Sequence, residues 1–180
     1  MKRIRVPNTF EPIDQLIDDG WNVLRGNAAA DRLFYGASEA ANFSIIWHGL
    51  GIVRAIVLRD PKQAMRTSAA LGIEAALVNG PIKSIFERER PDVDDRPMKL
   101  RKPKTSSFPS GHASAAVVAA SYLTAGASPA GKFAIRTLAA LVSTSRIHVQ
   151  IHHATDVAAG AATGWALTKL IKPALRKVLT

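Results

Sequence analysis

The residues with the clearest chemical potential in this sequence are a histidine and an acid in its C-terminal third. His152 and Asp156 are separated by three residues, a spacing that places both side chains on one face of a helix. The carboxylate of Asp156 can then accept a hydrogen bond from one imidazole nitrogen, which leaves a lone pair on the other. An imidazole held in this way is a candidate nucleophile, and a His–Asp pair that only satisfies polar groups is the alternative interpretation.

A second cluster supplies groups that could bind an anion and move a proton. Ser110, Gly111 and His112 follow Pro109, at the point where an apolar helix is expected to begin. A helix N-terminus offers unpaired N–H groups, Gly111 permits close approach of the backbone, and His112 can transfer a proton. A plain serine N-cap followed by a surface histidine is the alternative.

Three cations complete the set of chemically suggestive residues. Lys83 and Arg90 are separated by six residues, and Arg146 precedes His152 by six positions. Lysine and arginine side chains can donate several hydrogen bonds to phosphoryl oxygens. Cations at helix ends more often extend toward water or interact with the helix dipole, so each cation alone is a weak signal.

The elements that must position these residues are apolar segments separated by polar ones. They predict an all-α fold, a small transmembrane helical bundle of about five apolar helices. Polar residues 1–40 contain an amphipathic helix at 9–25, and the charged, proline-rich residues 87–109 form a loop on the active face. Successive crossings would bring all three clusters to one side. The predicted apolar helices are 43–58, 67–86, 111–127, 132–145 and 152–171, with Pro61 and Pro173 as breaks.

Composition limits the classes of function. The 180 residues predict a single domain, and the absence of cysteine excludes disulfides and thiolate metal sites. The formal charge of +10 suits an anionic bilayer or a phosphorylated substrate, whereas the 6% aromatic content argues against nucleic acid.

His148 and His153 flank His152, but adjacent histidines point to different helix faces, so we expect no metal. The basic N-terminus lacks the apolar core of a cleavable signal, and we expect it to be retained.

Several other polar and small residues carry weaker predictions. Gly160 and Gly164 have the GxxxG spacing, for which packing within one chain is the simpler interpretation and a homo-oligomer interface the alternative. Glu74, inside an apolar segment, is a candidate partner of Arg54. Basic loop residues are expected at a phospholipid surface; they are Arg96, Lys99, Arg101, Lys102 and Lys104.

The strings KSIFERERP, PSGH and SRIHVQIHHATD together resemble the three-part signature of the type 2 phosphatidic acid phosphatase superfamily, in order and spacing. The resemblance covers residues 83–156. It implies that His152 attacks phosphorus to form a phosphohistidine, that Asp156 orients it and that His112 protonates the leaving oxygen. It also implies phosphoryl binding without a metal or other cofactor, by Lys83, Arg90, Ser110, Gly111 and Arg146.

The resemblance implies a lipid phosphatase in the cell membrane that acts on a lipid or polyprenyl phosphate, with the membrane face of the site left open. The composition is also similar to that of small polyprenyl-phosphate sugar phosphatases of the decaprenylphosphoryl phosphoribose type. Soluble acid phosphatases and haloperoxidases of the same superfamily are rival readings. A membrane protein that binds anionic lipid without catalysis is an alternative of another class.

Overall fold

The computed structural model shows a helical bundle and describes residues 3–91, 97–98, 100, 103 and 105–178. The predicted all-α class is confirmed. The described part of the 87–109 segment contains no helix, and the five basic loop residues Arg96, Lys99, Arg101, Lys102 and Lys104 lie outside the described residues. The helices are α1 Glu11–Asn22, α2 Ala28–Ala40, α3 Ile45–Leu58, α4 Pro61–Leu77, α5 Lys83–Ile85, α6 Gly111–Leu123, α7 Pro129–His148 and α8 Ala154–Val178.

Short polar side chains define the starts of four helices. The Asn27 carboxamide oxygen accepts from two backbone N–H groups of α2, and the side chains of Asp60, Ser110 and Ser128 each accept from one backbone N–H group of α4, α6 and α7. Such caps satisfy backbone donors that have no partner within the helix. Pro61 opens α4, where its missing N–H costs nothing.

The apolar stretch predicted as one helix over 67–86 is instead interrupted. The helix α4 begins at Pro61 and ends at Leu77, and a π-helical turn, Val78–Ile82, separates it from α5. Gly80 has non-helical angles of φ −93° and ψ −109°, and Pro81 follows it. Proline removes a backbone donor and clashes with the preceding turn, so the chain changes direction here.

The last helix also departs from its predicted bounds. It begins at Ala154 instead of His152, and it passes through Pro173 to Val178. Proline removes one hydrogen bond but does not by itself end a helix whose next turn is packed. Leu175, beyond the proline, packs against the hydrophobic core and supports the continuation.

The helix α6 lies at the centre of the bundle, packed against α4, α7 and α8. Its contact with α8 depends on glycine. A Cβ atom on Gly160 would lie 2.3 Å from the carbonyl oxygen of Ser110, and one on Gly164 would lie 2.4 Å from that of Ser114. Real side chains do not tolerate such distances, so the GxxxG pair serves packing within the chain, as the simpler interpretation predicted.

Large apolar side chains remain exposed on the outer helices. On α1 the apolar face points outward, with Leu16 71% exposed, and on α3 Val57 is 74% exposed. No described helix, taken alone, has both the length and the apolar content of a membrane span. The segments Ala28–Ala40 and Asn42–Leu58 meet that requirement together, across a bend of 65°.

A short two-stranded pairing links the N-terminus to the end of the interrupted helix. Ile4–Arg5 (β1) pairs in parallel with Phe86–Glu87 (β2). Behind it, α1 packs against α7 and α8, and α2 packs against α7. The polar first 40 residues therefore cover the region where α7 ends and α8 begins.

Candidate active site

A cavity of about 480 Å³ gathers residues from many separate segments at one end of the bundle. Its elements explain the convergence: α5 follows the break after α4, α6 starts there, α7 ends there, and the turn before α8 closes it. The sequence predicted this meeting of the three clusters. The predicted site residues that line the cavity are Lys83, Arg90, Gly111, His112, Arg146 and His152.

The turn between α7 and α8 holds the candidate nucleophile. The backbone N–H groups of Ile151 and His152 both donate to the carbonyl oxygen of Arg146, at 3.1 Å. The backbone N–H of His153 donates to Asp156 Oδ2 at 2.9 Å. These bonds form a compact turn, so His152 precedes the helix and only Asp156 lies within it, contrary to the expectation that both are helical.

His152 and Asp156 nevertheless lie side by side. The Nδ1 atom of His152 is 3.5 Å from Asp156 Oδ2, slightly beyond an ordinary hydrogen bond. On the other side of the ring, Arg90 Nη1 lies 3.1 Å from Nε2. A guanidinium can only donate, so Nε2 is the acceptor and carries the lone pair. The ring therefore presents that lone pair toward the cavity and its Nδ1 proton toward Asp156.

The environment keeps this imidazole uncharged. His152 is 3% exposed, and burial is the main cause that lowers its pKa to about 3, with the charges of Arg146 and Arg90 acting in the same direction. Asp156 opposes the shift but does not overcome it. At neutral pH the ring is therefore unprotonated, which is the form that a nucleophile requires.

Two further cations are buried close to this ring. Lys83 is 7% exposed and Arg146 is 2% exposed. The Nη1 group of Arg146 donates to the hydroxyl of Ser38, and its Nε has no hydrogen-bond partner among the described residues. Arg90 donates to the carbonyl oxygens of Ile151, Thr105 and Ser106.

No acidic side chain in the described part of the chain forms an ion pair with these three cations. Burying positive charge without a counterion is costly. A site built in this way is suited to an anion that brings the missing negative charge.

The start of α6 contributes groups on the opposite wall. Ser110 is fully buried, its hydroxyl oxygen caps the helix at Ala113 N, and it lies outside the cavity lining. Gly111 lines the cavity beside Asn79, whose Oδ1 would lie 3.1 Å from an added Cβ. His112 also lines it, and its Nε2 lies 3.2 Å from Asn42 Oδ1.

The remaining histidines of the C-terminal cluster have other surroundings. His148 is buried between Trp21 and Asp31, and His153 Nε2 lies 3.3 Å from the carbonyl oxygen of Glu89. The three neighbouring histidines thus point in three directions. Their adjacency in sequence gave no means of telling these environments apart.

The partnership predicted between Glu74 and Arg54 is wrong. Arg54 Nη2 donates to the carbonyl oxygen of Ala125 at 2.8 Å, whereas the buried Glu74 lines the cavity near Lys83. The two residues lie on different helices, α3 and α4, and apolar periodicity does not show which side chains meet.

Sequence reasoning missed several residues around the site. Ser38 and Asn42 come from the polar N-terminal region and its exit, which had no motif. Arg88 lies among the six residues between Lys83 and Arg90, and Asp14 lies on the amphipathic helix. Only their position, in a spacer and on a polar helix face, could have drawn attention to them.

Comparison with known proteins gives one family and a shared fold. The sequence model of the PAP2 superfamily matches residues 63–178. No curated protein matches the chain. Among solved structures, the transmembrane PAP2 type phosphatidylglycerolphosphate phosphatase of Bacillus subtilis is similar, with a TM-score of 0.72, 23% identity, and 96% of this chain and 89% of that chain covered. LpxE of Aquifex aeolicus gives a TM-score of 0.69 and 22% identity, with 91% and 94% covered.

Proposed function

Because the chain belongs to the PAP2 superfamily and is a phosphatase, we propose that it hydrolyses a phosphate monoester or diphosphate of a membrane lipid, with His152 as the nucleophile. The observation that carries the proposal is the neutral, buried imidazole beside three cations that form no ion pair with an acid among the described residues. A phosphoryl group would supply the missing negative charge and place phosphorus next to the ring. No metal or other cofactor is needed for this chemistry.

The reaction proceeds in two displacements. In the first, the Nε2 lone pair forms a bond to phosphorus, the bond to the lipid oxygen breaks, and His112 donates a proton to that oxygen. In the second, the oxygen of a water molecule bonds to phosphorus, His112 takes the proton that this water loses, the P–N bond breaks, and inorganic phosphate leaves. Lys83, Arg90 and Arg146 stabilise the negative charge on the phosphoryl oxygens in both steps.

Arg90 has a second role before the reaction. Its Nη1 group donates to the Nε2 lone pair, at 3.1 Å. When a phosphoryl group arrives, the guanidinium transfers its hydrogen bonds to the phosphoryl oxygens, and the lone pair becomes available. The same cation therefore protects the nucleophile and then binds the substrate.

Ser110 and Gly111 would assist at the helix N-terminus. Ser110 is fully buried outside the cavity lining and its oxygen accepts from Ala113 N, so it would assist by holding the start of α6 in place. Gly111 leaves the backbone approachable, and the first N–H groups of α6 point toward bound negative charge.

The outward-facing apolar side chains support a membrane location. On α1 and α3 these side chains are exposed and do not pack into the hydrophobic core. Exposed apolar faces of this extent are typical of surfaces that contact lipid or another protein. A bilayer would also bring a lipid phosphate to the cavity. The structural neighbour from Bacillus subtilis is described as a phosphatidylglycerolphosphate phosphatase, which makes that lipid one reasonable substrate beside phosphatidic acid and polyprenyl phosphates.

Phosphate release from those three lipids, measured in mixed micelles with chelator present, tests the proposal. His152→Ala is expected to abolish release. Vanadate, which can adopt the five-coordinate geometry of phosphorus in the transition state, is expected to inhibit the wild-type enzyme. Radiolabelled phosphate should be trapped on the wild-type chain as an acid-labile, alkali-stable adduct and be absent from the variant. Unchanged release by His152→Ala would refute the nucleophile. Lipid binding without hydrolysis by the wild-type chain would favour a binding protein, and activity confined to water-soluble esters would favour an acid phosphatase.

A further inference from the structure

We propose that Asp14 and Arg88 are positioning residues that hold the carboxylate of Asp156 against His152; this inference rests on the proposed function. Neither residue belongs to the three signature clusters. Asp14 comes from the N-terminal helix α1, and Arg88 from the segment after β2. Together they would link the polar N-terminal region to the reacting ring.

Arg88 lies between the two carboxylates. Its Nη1 group donates to Asp156 Oδ1 at 2.6 Å and to the hydroxyl oxygen of Thr155 at 2.8 Å. Its Nη2 group donates to Asp14 Oδ2. One guanidinium thus satisfies an oxygen of each acid, in a forked geometry that arginine provides and lysine does not.

Asp14 fixes the start of α8 as well. Its Oδ1 atom accepts from the backbone N–H of Thr155 at 2.8 Å, and its Oδ2 atom accepts from the hydroxyl of Thr155 at 2.8 Å. Because Thr155 directly precedes Asp156, these bonds hold the first turn of the helix that carries the catalytic acid. The carboxylate of Asp14 therefore reaches the site through both Arg88 and the backbone.

The burial of Asp14 shows that this contact helps to dock α1, together with Trp21, which packs on a buried apolar cluster and donates to His148. In α1, all of whose residues are described, Asp14 is the buried residue, at 6% exposed, while the apolar face points outward. It is unusual for a helix to pack on its bundle through a buried carboxylate. Burying a leucine is favourable, whereas burying a carboxylate costs free energy unless the carboxylate is paired and hydrogen-bonded. Asp14 meets both conditions through Arg88 and Thr155.

The consequence for Asp156 is a single orientation. Arg88 occupies Oδ1, and the backbone N–H of His153 occupies Oδ2 at 2.9 Å. With both oxygens fixed, Oδ2 stays 3.5 Å from His152 Nδ1. Loss of Arg88 would leave two buried carboxylates without their shared cation and would free Asp156 to rotate away from the ring.

The experiment compares kcat and KM of Asp14→Asn, Arg88→Lys and Arg88→Ala for one lipid phosphate. Since a small displacement of a catalytic group can cost up to about 100-fold in rate, we expect kcat to fall between roughly 10-fold and 100-fold with KM nearly unchanged. Arg88→Lys keeps the charge but not the fork, so it should recover part of the loss seen in Arg88→Ala. Asp19→Asn is the matched control, an exposed acid on the same helix, and should match the wild type.

A double-mutant cycle with Asp156→Asn tests whether Asp14 positions Asp156 or only holds α1 on the bundle. If Asp14 acts through Asp156, adding Asp14→Asn to Asp156→Asn should lower kcat no further. If Asp14 only staples the helix, the single variant should lose thermal stability while keeping wild-type kcat well below its melting temperature, and the inference is overturned. Additive losses in the double variant would overturn it as well. An inactive His152→Ala alongside a fully active Asp14→Asn would reject this inference alone, whereas an active His152→Ala would reject the proposed function.

Discussion

The chain contains two buried His–Asp pairs, His148 with Asp31 and His152 with Asp156, whose histidines lie four residues apart. The two pairs have opposite chemical characters. His148 accepts a hydrogen bond at Nδ1 from the Trp21 indole at 3.0 Å, its Nε2 lies 2.8 Å from Asp31 Oδ1, and Phe34 stacks on its ring at 4.4 Å. Both of its nitrogens are satisfied by the protein. His152 has its acid on one side only, and its other nitrogen faces cations and a cavity.

The difference shows that an adjacent carboxylate does not by itself make a nucleophile. A pair becomes reactive when the second nitrogen keeps an accessible lone pair beside groups that can bind the electrophile. The pair of His148 and Asp31 instead stabilises the junction between α2 and the end of α7. The sequence shows the spacing of His152 and Asp156 but not the pairing of His148 with Asp31, because Asp31 is distant from His148 along the chain.

The acids of the two pairs give the largest expected contrast. Asp156→Asn is expected to lower kcat by about 10³-fold to 10⁴-fold, because an amide no longer holds the ring in the productive tautomer. Asp31→Asn should lower the melting temperature and leave kcat of the folded enzyme within about threefold of wild type, since it touches no reacting group. Steady-state kinetics and thermal melting in detergent measure both quantities. Equal losses of kcat in the two variants would remove the distinction between the pairs.

Removal of one of the cations beside the pair of His152 and Asp156 should have the next largest effect on activity. Arg146→Ala is expected to reduce kcat/KM by about 10²-fold to 10³-fold, the range for loss of one buried donor to a developing oxyanion. Arg136→Ala is the matched control, an exposed arginine on the same helix, and should leave kcat/KM unchanged. Vanadate inhibition should weaken in parallel for Arg146→Ala. A wild-type inhibition constant in that variant would count against phosphoryl binding by Arg146.

The pH dependence tests the uncharged state of His152. Because the pKa of the free ring is lowered to about 3, protonation of His152 should not reduce kcat/KM between pH 7 and pH 5. Removing a nearby cation makes protonation easier, so Arg90→Ala should raise this pKa and make the variant lose activity on the acid side. The ratio of variant to wild-type kcat/KM cancels ionisation of the substrate and should fall below pH 5, where the raised pKa of His152 in the variant is approached. A ratio independent of pH would contradict the electrostatic coupling between Arg90 and His152.

The smallest expected effect concerns the indole that completes the first pair. Trp21→Phe removes the donor to His148 and should reduce the free energy of unfolding by about 1 kcal/mol, since one hydrogen bond to a buried acceptor is lost. Its kcat should remain that of the wild type. Thermal melting and kinetics on the same preparation check both expectations. A fall in kcat comparable to that of the Asp156 variant would mean that the two pairs are coupled.

Much of the site's arrangement could be predicted from the spacing of its motifs. Lys83, the start of α6, Arg146 and His152 sit at ends of apolar segments, and alternating helices bring such ends together. The class of fold followed from the same segments. These features depend on local composition and on connectivity, which a sequence displays directly.

The parts that could not be predicted depend on contacts between distant residues. Asp14 meets Thr155 and Arg88 across long stretches of chain, and nothing in the period of α1 indicates that its buried residue is an acid. The interruption after Leu77 was visible in Gly80 and Pro81, but the hydropathy of the segment outweighed those two residues. The boundary at Ala154 arises from a side chain, Asp156, that closes a turn onto the backbone before it.

The close contact of α6 with α8 fixes the spacing between the start of α6 and the turn that holds His152. Gly160 follows Asp156 by one turn and rests on the carbonyl group of Ser110, while the N–H of Ser110 bonds to the carbonyl oxygen of Asp156 at 2.9 Å. The start of α6, which carries His112, and the first turn of α8, which follows His152 and carries Asp156, are thus spaced by the absence of one methyl group. Any side chain at position 160 would move the two candidate catalytic histidines further apart.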